Sequence, residues 1–281
     1  MKKTTIALLA FLLAASYSFR GVAQIKKTDT TVHKPVVVKK KHRPEGCCNS
    51  LKPCKLQSPI NIYAEHAHRT TSDKYQFNFF SKEVFNPDID PGHTKLVYNY
   101  TSGEHPTTVT LGTKTYRLNQ IHMHNANEHI IDNKQHDFEI HMVYGNPDAK
   151  PLDLVVVGIV GDYKDHTNQM EFANQVCAAM KKAIDCKEHN PKEHCRQTID
   201  VGSIIKSGAE SGELNFPYYS YYGSLTTGSC ATGVHWIVKQ KPVTAEKIGL
   251  ETEKYKNYFP GARRPQKFED RGLQLVLEPR K

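Results

Sequence analysis

The chain has 281 residues, 38% hydrophobic and 24% charged, with a formal net charge of +9. That composition excludes a wholly disordered chain and can fill a large core. The longest clean apolar run, Ile6–Ala15, is half the ~20 residues of a spanning helix, so no membrane span is expected.

In chain order, Lys2 and Lys3, the apolar run and Gly21-Val22-Ala23 read as an export signal cut after Ala23. Residues 1–23 are therefore expected to be a signal peptide, and the protein periplasmic or secreted, where disulfides are admissible. Residues 24–46 are basic and lack a sustained period, as a flexible linker does. Lys39, Lys40, Lys41 and Arg43 could touch an anionic envelope surface; the plainer alternative is a solvated tether. Three positive charges fall within residues 1–23 and a net five within 25–45, which leaves +1 for residues 46–281. A main domain this close to neutral argues against nucleic acid as a partner.

Within the main domain, 47–281, short segments rich in Val, Ile, Tyr and Thr read as strands: 95–100, 107–111, 115–124, 137–144, 154–160 and 233–239. Met170, Ala173, Val176, Cys177 and Met180 recur at helical spacing and predict one helix over about 168–184. The fold class is therefore mostly β (α+β), in a single domain.

Two of the strands carry chemistry. Side chains alternate faces along a strand, so Gln120, His122 and His124 share one face, and Glu139, His141 and Val143 share one face of the other. Antiparallel pairing of the two would bring three imidazoles together. Three neutral histidines with an open fourth position make a catalytic zinc site, whereas structural sites are usually closed by four protein ligands. Gln120 and Glu139 each stand two residues before a histidine, where they could accept an imidazole N–H and fix its orientation. Fifteen histidines also allow chance clustering, and the matching acceptors on both strands weigh against it.

With these segments on the page, the chain resembles the α-class carbonic anhydrases, in particular their compact exported bacterial members. The resemblance covers about residues 54–275. It rests on Gln57-Ser-Pro-Ile-Asn-Ile62, the 116–124 stretch, Glu128-His129, Glu139–Val143, Gly223-Ser-Leu-Thr-Thr227, Val234-His-Trp-Ile-Val238 and Arg264-Pro265-Gln266. It implies a large, mainly antiparallel central sheet with a few peripheral helices, and Zn2+ as cofactor. The implied reaction is reversible hydration of carbon dioxide to bicarbonate and a proton by zinc-held hydroxide, chemistry for which this family is itself the standard case. By the same resemblance His122, His124 and His141 are the zinc ligands, oriented in part by Gln120 and Glu139. Thr226 and Glu128 position the attacking oxygen, and His93 is a proton shuttle. Val143, Val156, Leu225, Thr227, Val234 and Trp236 line the substrate pocket. The alternative, a catalytically inactive binding protein of the same fold, would be expected to have lost a ligand histidine, and all three are present. A zinc hydrolase is disfavoured by the lack of a His-Glu-x-x-His motif.

The sequence also departs from the family pattern. Gly228-Ser229 stand where two prolines are common, which predicts a less rigid loop. Pro91 and Leu96 fall at cavity positions that are often polar, and residues 185–207 are longer than usual. The resemblance pairs Cys54 with Cys230. Cys186 and Cys195 could clip the longer segment. Cys47, Cys48 and Cys177 then leave an odd thiol, either free or linking two copies as a homodimer.

Overall fold

Period-2 alternation in the central strands builds a sheet with two different faces. The computed structural model describes residues 55–71, 74–79, 82–99, 107–164, 169–190, 194–205, 211–268 and 271–277. The strands are β1 (Asn61–Ile62), β2 (His68–Thr70), β3 (Tyr75–Asn78), β4 (Glu83–Asp88), β5 (Lys95–Tyr98), β6 (Thr108–Leu111), β7 (Lys114–His124), β8 (Ile130–Ile131), β9 (Phe138–Tyr144), β10 (Leu154–Tyr163), β11 (Gln197–Ile199), β12 (Ser211–Gly212), β13 (Tyr218–Ser224), β14 (Thr232–Lys239), β15 (Val243–Ala245) and β16 (Gln274–Val276). The helices are α1 (Glu171–His189) and α2 (Glu253–Lys256). Fourteen strands form one mixed sheet whose main path runs β11-β4-β5-β7-β9-β10-β14-β13-β16-β2. Most neighbours are antiparallel; β10–β14 and β16–β2 are parallel. The mostly β architecture and all six predicted strands are observed, with ends shifted by one to three residues. The described residues fall within one compact unit, 43–281. The expected signal peptide and linker lie outside them.

One face of the sheet carries Ile121, Met123, Ile140, Met142, Val157 and Ile159, all buried against Phe172, Val176 and Met180 of α1. Each such side chain contributes about 1.5–3 kcal/mol of transfer free energy. The helix runs five residues past its predicted end at Ile184. The apolar period stops there, and an i,i+4 pair within the helix, Lys181 to Asp185 at 2.7 Å, is joined by tertiary ties: Tyr255 donates to Asp185 at 2.6 Å, and Cys186 is disulfide-bonded to Cys195. The expected clip on the longer segment is thus present. Among the described residues Cys177 is a free thiol, buried within the core; Cys47 and Cys48 lie outside them.

The opposite face holds a second apolar cluster with Val143, Leu154, Val156, Val234, Trp236 and Val238. Along it run two ladders of directly paired residues. One is Asp88–Lys95–His122–His141–Gly158–Val238, and the next is Val97–Gln120–Val143–Val156–Trp236–Tyr221. One expectation is corrected here. Leu96 is fully buried among the α1-facing core residues, so it lines no cavity, and Lys95 takes the histidine face instead. The β5 register decides this, since a one-residue slip exchanges every side chain between faces.

Candidate metal centre

The site is built on the β7–β9 pair. His122 stands directly across from His141, and His124 across from Glu139. The ring centroids of His122, His124 and His141 lie 4.8–5.2 Å from one another, with one nitrogen from each within 4.8 Å of the others. Nδ1 of His141 is 3.3 Å from Nε2 of His122. Two nitrogens each ~2.0–2.1 Å from a tetrahedral zinc would stand about 3.3–3.4 Å apart. Burial, followed by the His141 and Lys95 charges, pushes the His122 imidazole well below its usual range, so it is neutral and has a lone pair to give. The donor set fits zinc.

Glu139 fixes the ring of His141. Its Oε1 is 2.9 Å from His141 Nε2 and 2.6 Å from His129 Nδ1, while Oε2 accepts the backbone N–H groups of Glu128 and His129 at 2.8 and 2.7 Å. Burial alone would raise this carboxyl; the charges and hydrogen bonds of His129 and His141 outweigh it and hold it well below the carboxylate range. His129, Glu139 and His141 also converge closely enough to hold a metal. Four donors already occupy the carboxylate, so this group is an orienting network instead. Gly158 keeps room for it, since a Cβ there would press on Glu139 Oε1 at 2.9 Å. Gln120 shares the face of His122, but no hydrogen bond joins the two among the described residues.

The 224–230 segment reaches the site through Thr226, which bonds Glu128, whose Oε2 is 3.4 Å from His124 Nε2. Glu128 is fully buried, and burial raises its carboxyl to about 7, against the pull of His141, the Thr226 hydroxyl and the Arg263 backbone N–H. The Arg263 N–H donates at 2.8 Å. Thr226 is buried and its hydroxyl bonds Glu128, and Thr227 beside it in the chain is half-buried. The loop is held from far away in the chain. Ser58 N–H donates to Ser224 Oγ at 2.9 Å, Ser224 N–H returns a bond to Ser58 Oγ at 3.1 Å, and Gln57 donates to the Cys230 carbonyl at 3.2 Å. Arg263 clamps the Ser58 carbonyl at 2.5 Å and Gln57 Oε1 at 3.1 Å. The expected slackness at Gly228-Ser229 is offset locally: Gly228 takes a left-handed turn (φ +60°), and Cys230 N–H closes onto the Thr227 carbonyl at 3.1 Å. Cys230 is disulfide-bonded, and Cys54, its expected partner, lies outside the described residues.

Val143 and Val156 are paired neighbours, with Trp236 next in the ladder and its ring 5.0 Å from that of His141. Leu225 packs against the same cluster, and Val234 is fully buried behind it. His93 is exposed on a turn pinned by Gly92 N–H to the Asn257 carbonyl (2.8 Å) and Thr94 N–H to the Tyr258 carbonyl (3.1 Å), and its charge reaches His122. His129, a second candidate for proton relay by type, is fully buried between Glu139 and the Tyr221 hydroxyl, 2.6 Å away, and has no path to solvent of its own. Sequence reasoning missed Ser58, Tyr221 and Arg263 as supports and Lys95 as a neighbour. Only the β5 pairing reveals Lys95, and only contacts across most of the chain reveal the others.

Three comparisons bear on this geometry. Carbonic anhydrases of Pectobacterium atrosepticum and Pectobacterium carotovorum are each 33% identical over 194 residues, covering 68% of this chain and 68% of theirs. The solved α-carbonic anhydrase of Thermovibrio ammonificans, in complex with sulfanilamide, superposes with a TM-score of 0.57 at 24% identity over 78% of this chain and 86% of that one. Dioscorin, solved with ascorbate, matches equally well at 17% identity over 80% and 87%; these two likenesses speak for the fold alone. The sequence model of the eukaryotic-type carbonic anhydrases matches residues 43–270. On that match, and with the histidines already found on paired strands, the chain belongs to the eukaryotic-type, or α-class, carbonic anhydrase family.

Proposed function

We propose that the protein is a zinc lyase that reversibly hydrates carbon dioxide to bicarbonate and a proton. The observation that carries this reading is the convergence of His122, His124 and His141 from two directly paired strands, in a chain whose relatives are carbonic anhydrases. His122, His124 and His141 would hold the zinc, which supplies a Lewis acid that makes water nucleophilic at neutral pH. The protein's own residues do the rest. Thr226 has one hydroxyl proton; given to Glu128 when that carboxyl, raised to about 7, is ionised, it leaves the threonine oxygen free to accept from an O–H at the site and so aim that oxygen. Val143, Val156 and Trp236 offer an apolar wall to an uncharged substrate. His93 is exposed, so its imidazole could pass protons to buffer. We extend the proposal to export of the chain, on the signal-like residues 1–23.

The test is carbon dioxide hydration by the purified protein before and after removal of metal with a chelator, and after zinc is returned. Activity should vanish and come back with one zinc per chain. Undiminished hydration by the metal-free protein would overturn the reading, as would a stoichiometric zinc protein with none.

A further inference from the structure

The face exchange in β5 puts a cation where the sequence alone suggested a leucine. Lys95 stands directly across from His122 on one side and from Asp88 on the other. Its Nζ is 3.2 Å from Asp88 Oδ2, and the two side chains are 38% and 58% exposed. The pair therefore lies on the histidine face of the sheet, next to His122 in the ladder and in contact with water. Its next neighbours on that face are the uncharged Val97 and Gln120. The carboxylates deeper in the site are engaged elsewhere, Glu139 by His129, His141 and two backbone N–H groups, and Glu128 by Thr226 and the Arg263 N–H. Asp88 is thus the acid positioned to compete for the Lys95 ammonium.

We propose that Lys95 forms an anion subsite at the mouth of the histidine cavity, which takes small oxyanions such as bicarbonate, with Asp88 as the competing internal anion. This inference rests on the carbonic anhydrase reading of the site. In that reaction the substrate is neutral and the product is an anion. A fixed cation at the mouth attracts the second and is indifferent to the first, so Lys95 sets how tightly product and other small anions are held. The ammonium is exposed, so its effect is that of a solvent-screened pair, roughly a 2- to 5-fold change in affinity, and it shrinks as ionic strength rises.

The experiment is calorimetric titration of bicarbonate into the zinc-loaded protein, wild type against Lys95→Gln, Lys95→Arg and Asp88→Asn, with zinc content measured on each sample. The dissociation constant should rise about 2- to 5-fold in Lys95→Gln, stay near wild type in Lys95→Arg, and fall in Asp88→Asn, where the ammonium is released. Equal affinity in wild type and Lys95→Gln would overturn the proposal. So would equal weakening by Gln and Arg, which would trace the effect to packing instead of charge. A protein that holds zinc and hydrates carbon dioxide but shows no dependence on charge at Lys95 refutes the subsite alone. One that takes up no zinc refutes the underlying site.

Discussion

The two walls of the site, one the β7–β9 strand pair and the other the 224–230 loop, are built by different means. On the β7–β9 wall, His122, His124, Glu139 and His141 are held by strand register, and their partners are near in sequence: Glu139 touches His129, ten residues away, and His141, two away. On the loop wall, Ser224 and Cys230 are held by Ser58 and Gln57, across 166 and 173 residues of chain, and Arg263 in turn braces Ser58 and Gln57. Local period-2 geometry sets the imidazoles that could hold a metal, while long-range hydrogen bonds set the position of the loop. Damage to the first wall should therefore appear in metal binding, and damage to the second in stability and turnover at intact metal content.

The largest effect should come from the ligands. His122→Ala, His124→Ala or His141→Ala each removes one of three donors, and bound zinc and hydration should both be lost, by more than the ~10–100-fold typical of an orienting partner. Metal analysis beside a stopped-flow hydration assay reads both. A zinc-replete, active alanine variant would break the comparison at its first wall.

Next is Arg263→Ala on the second wall. It strips a charged donor from the Ser58 carbonyl and Gln57 Oε1, both in buried surroundings. Hydrogen bonds from charged groups contribute about 1.5–3 kcal/mol each, with partial compensation by water. Denaturant unfolding should show a loss of about 2–3 kcal/mol, while zinc content of the folded protein stays stoichiometric. Gly223→Ala probes the same staple, since a Cβ there would drive into Ser58 Oγ. Loss of zinc with unchanged stability would reverse the assignment of roles.

Smaller again is Glu139→Gln, which keeps the shape of the carboxylate but exchanges an acceptor for a donor toward His141 and His129. Zinc affinity should fall by about 10–100-fold, read by competition with a chelator. Unchanged affinity would mean that register alone orients His141.

What was legible in the sequence follows the same division. The histidine faces were readable because alternation is local, and the six strongest strands announced themselves by composition. The face of β5 was not readable, since Lys95-Leu96-Val97-Tyr98 gives no alternation to choose by; pairing with β4 and β7 decides that Leu96 goes to the core and Lys95 to the site. The end of α1 was missed because its last five residues are polar and are held by Tyr255, Tyr258 and a disulfide. Ser58 could be quoted as part of a recurrent segment, but its task of bridging Tyr221 (2.9 Å) to Ser224 appears only in three dimensions.

The smallest effect belongs to His93, which sits on neither wall. The backbone of its turn is fastened to Asn257 and Tyr258, while the ring itself remains exposed. Each hydration cycle releases one proton, and an imidazole, which as a class titrates near neutral pH, can accept it from the site and hand it to buffer. His93→Ala should therefore lower kcat in dilute buffer and leave kcat/KM for carbon dioxide nearly unchanged, because the capture of substrate precedes the proton's exit. Concentrated imidazole should restore much of the lost rate by acting as acceptor from solution. Equal kcat for mutant and wild type in dilute buffer would remove His93 from the pathway. Fully buried His129 could not take its place without an intermediary, so the proton would then have to leave through solvent in the cavity itself.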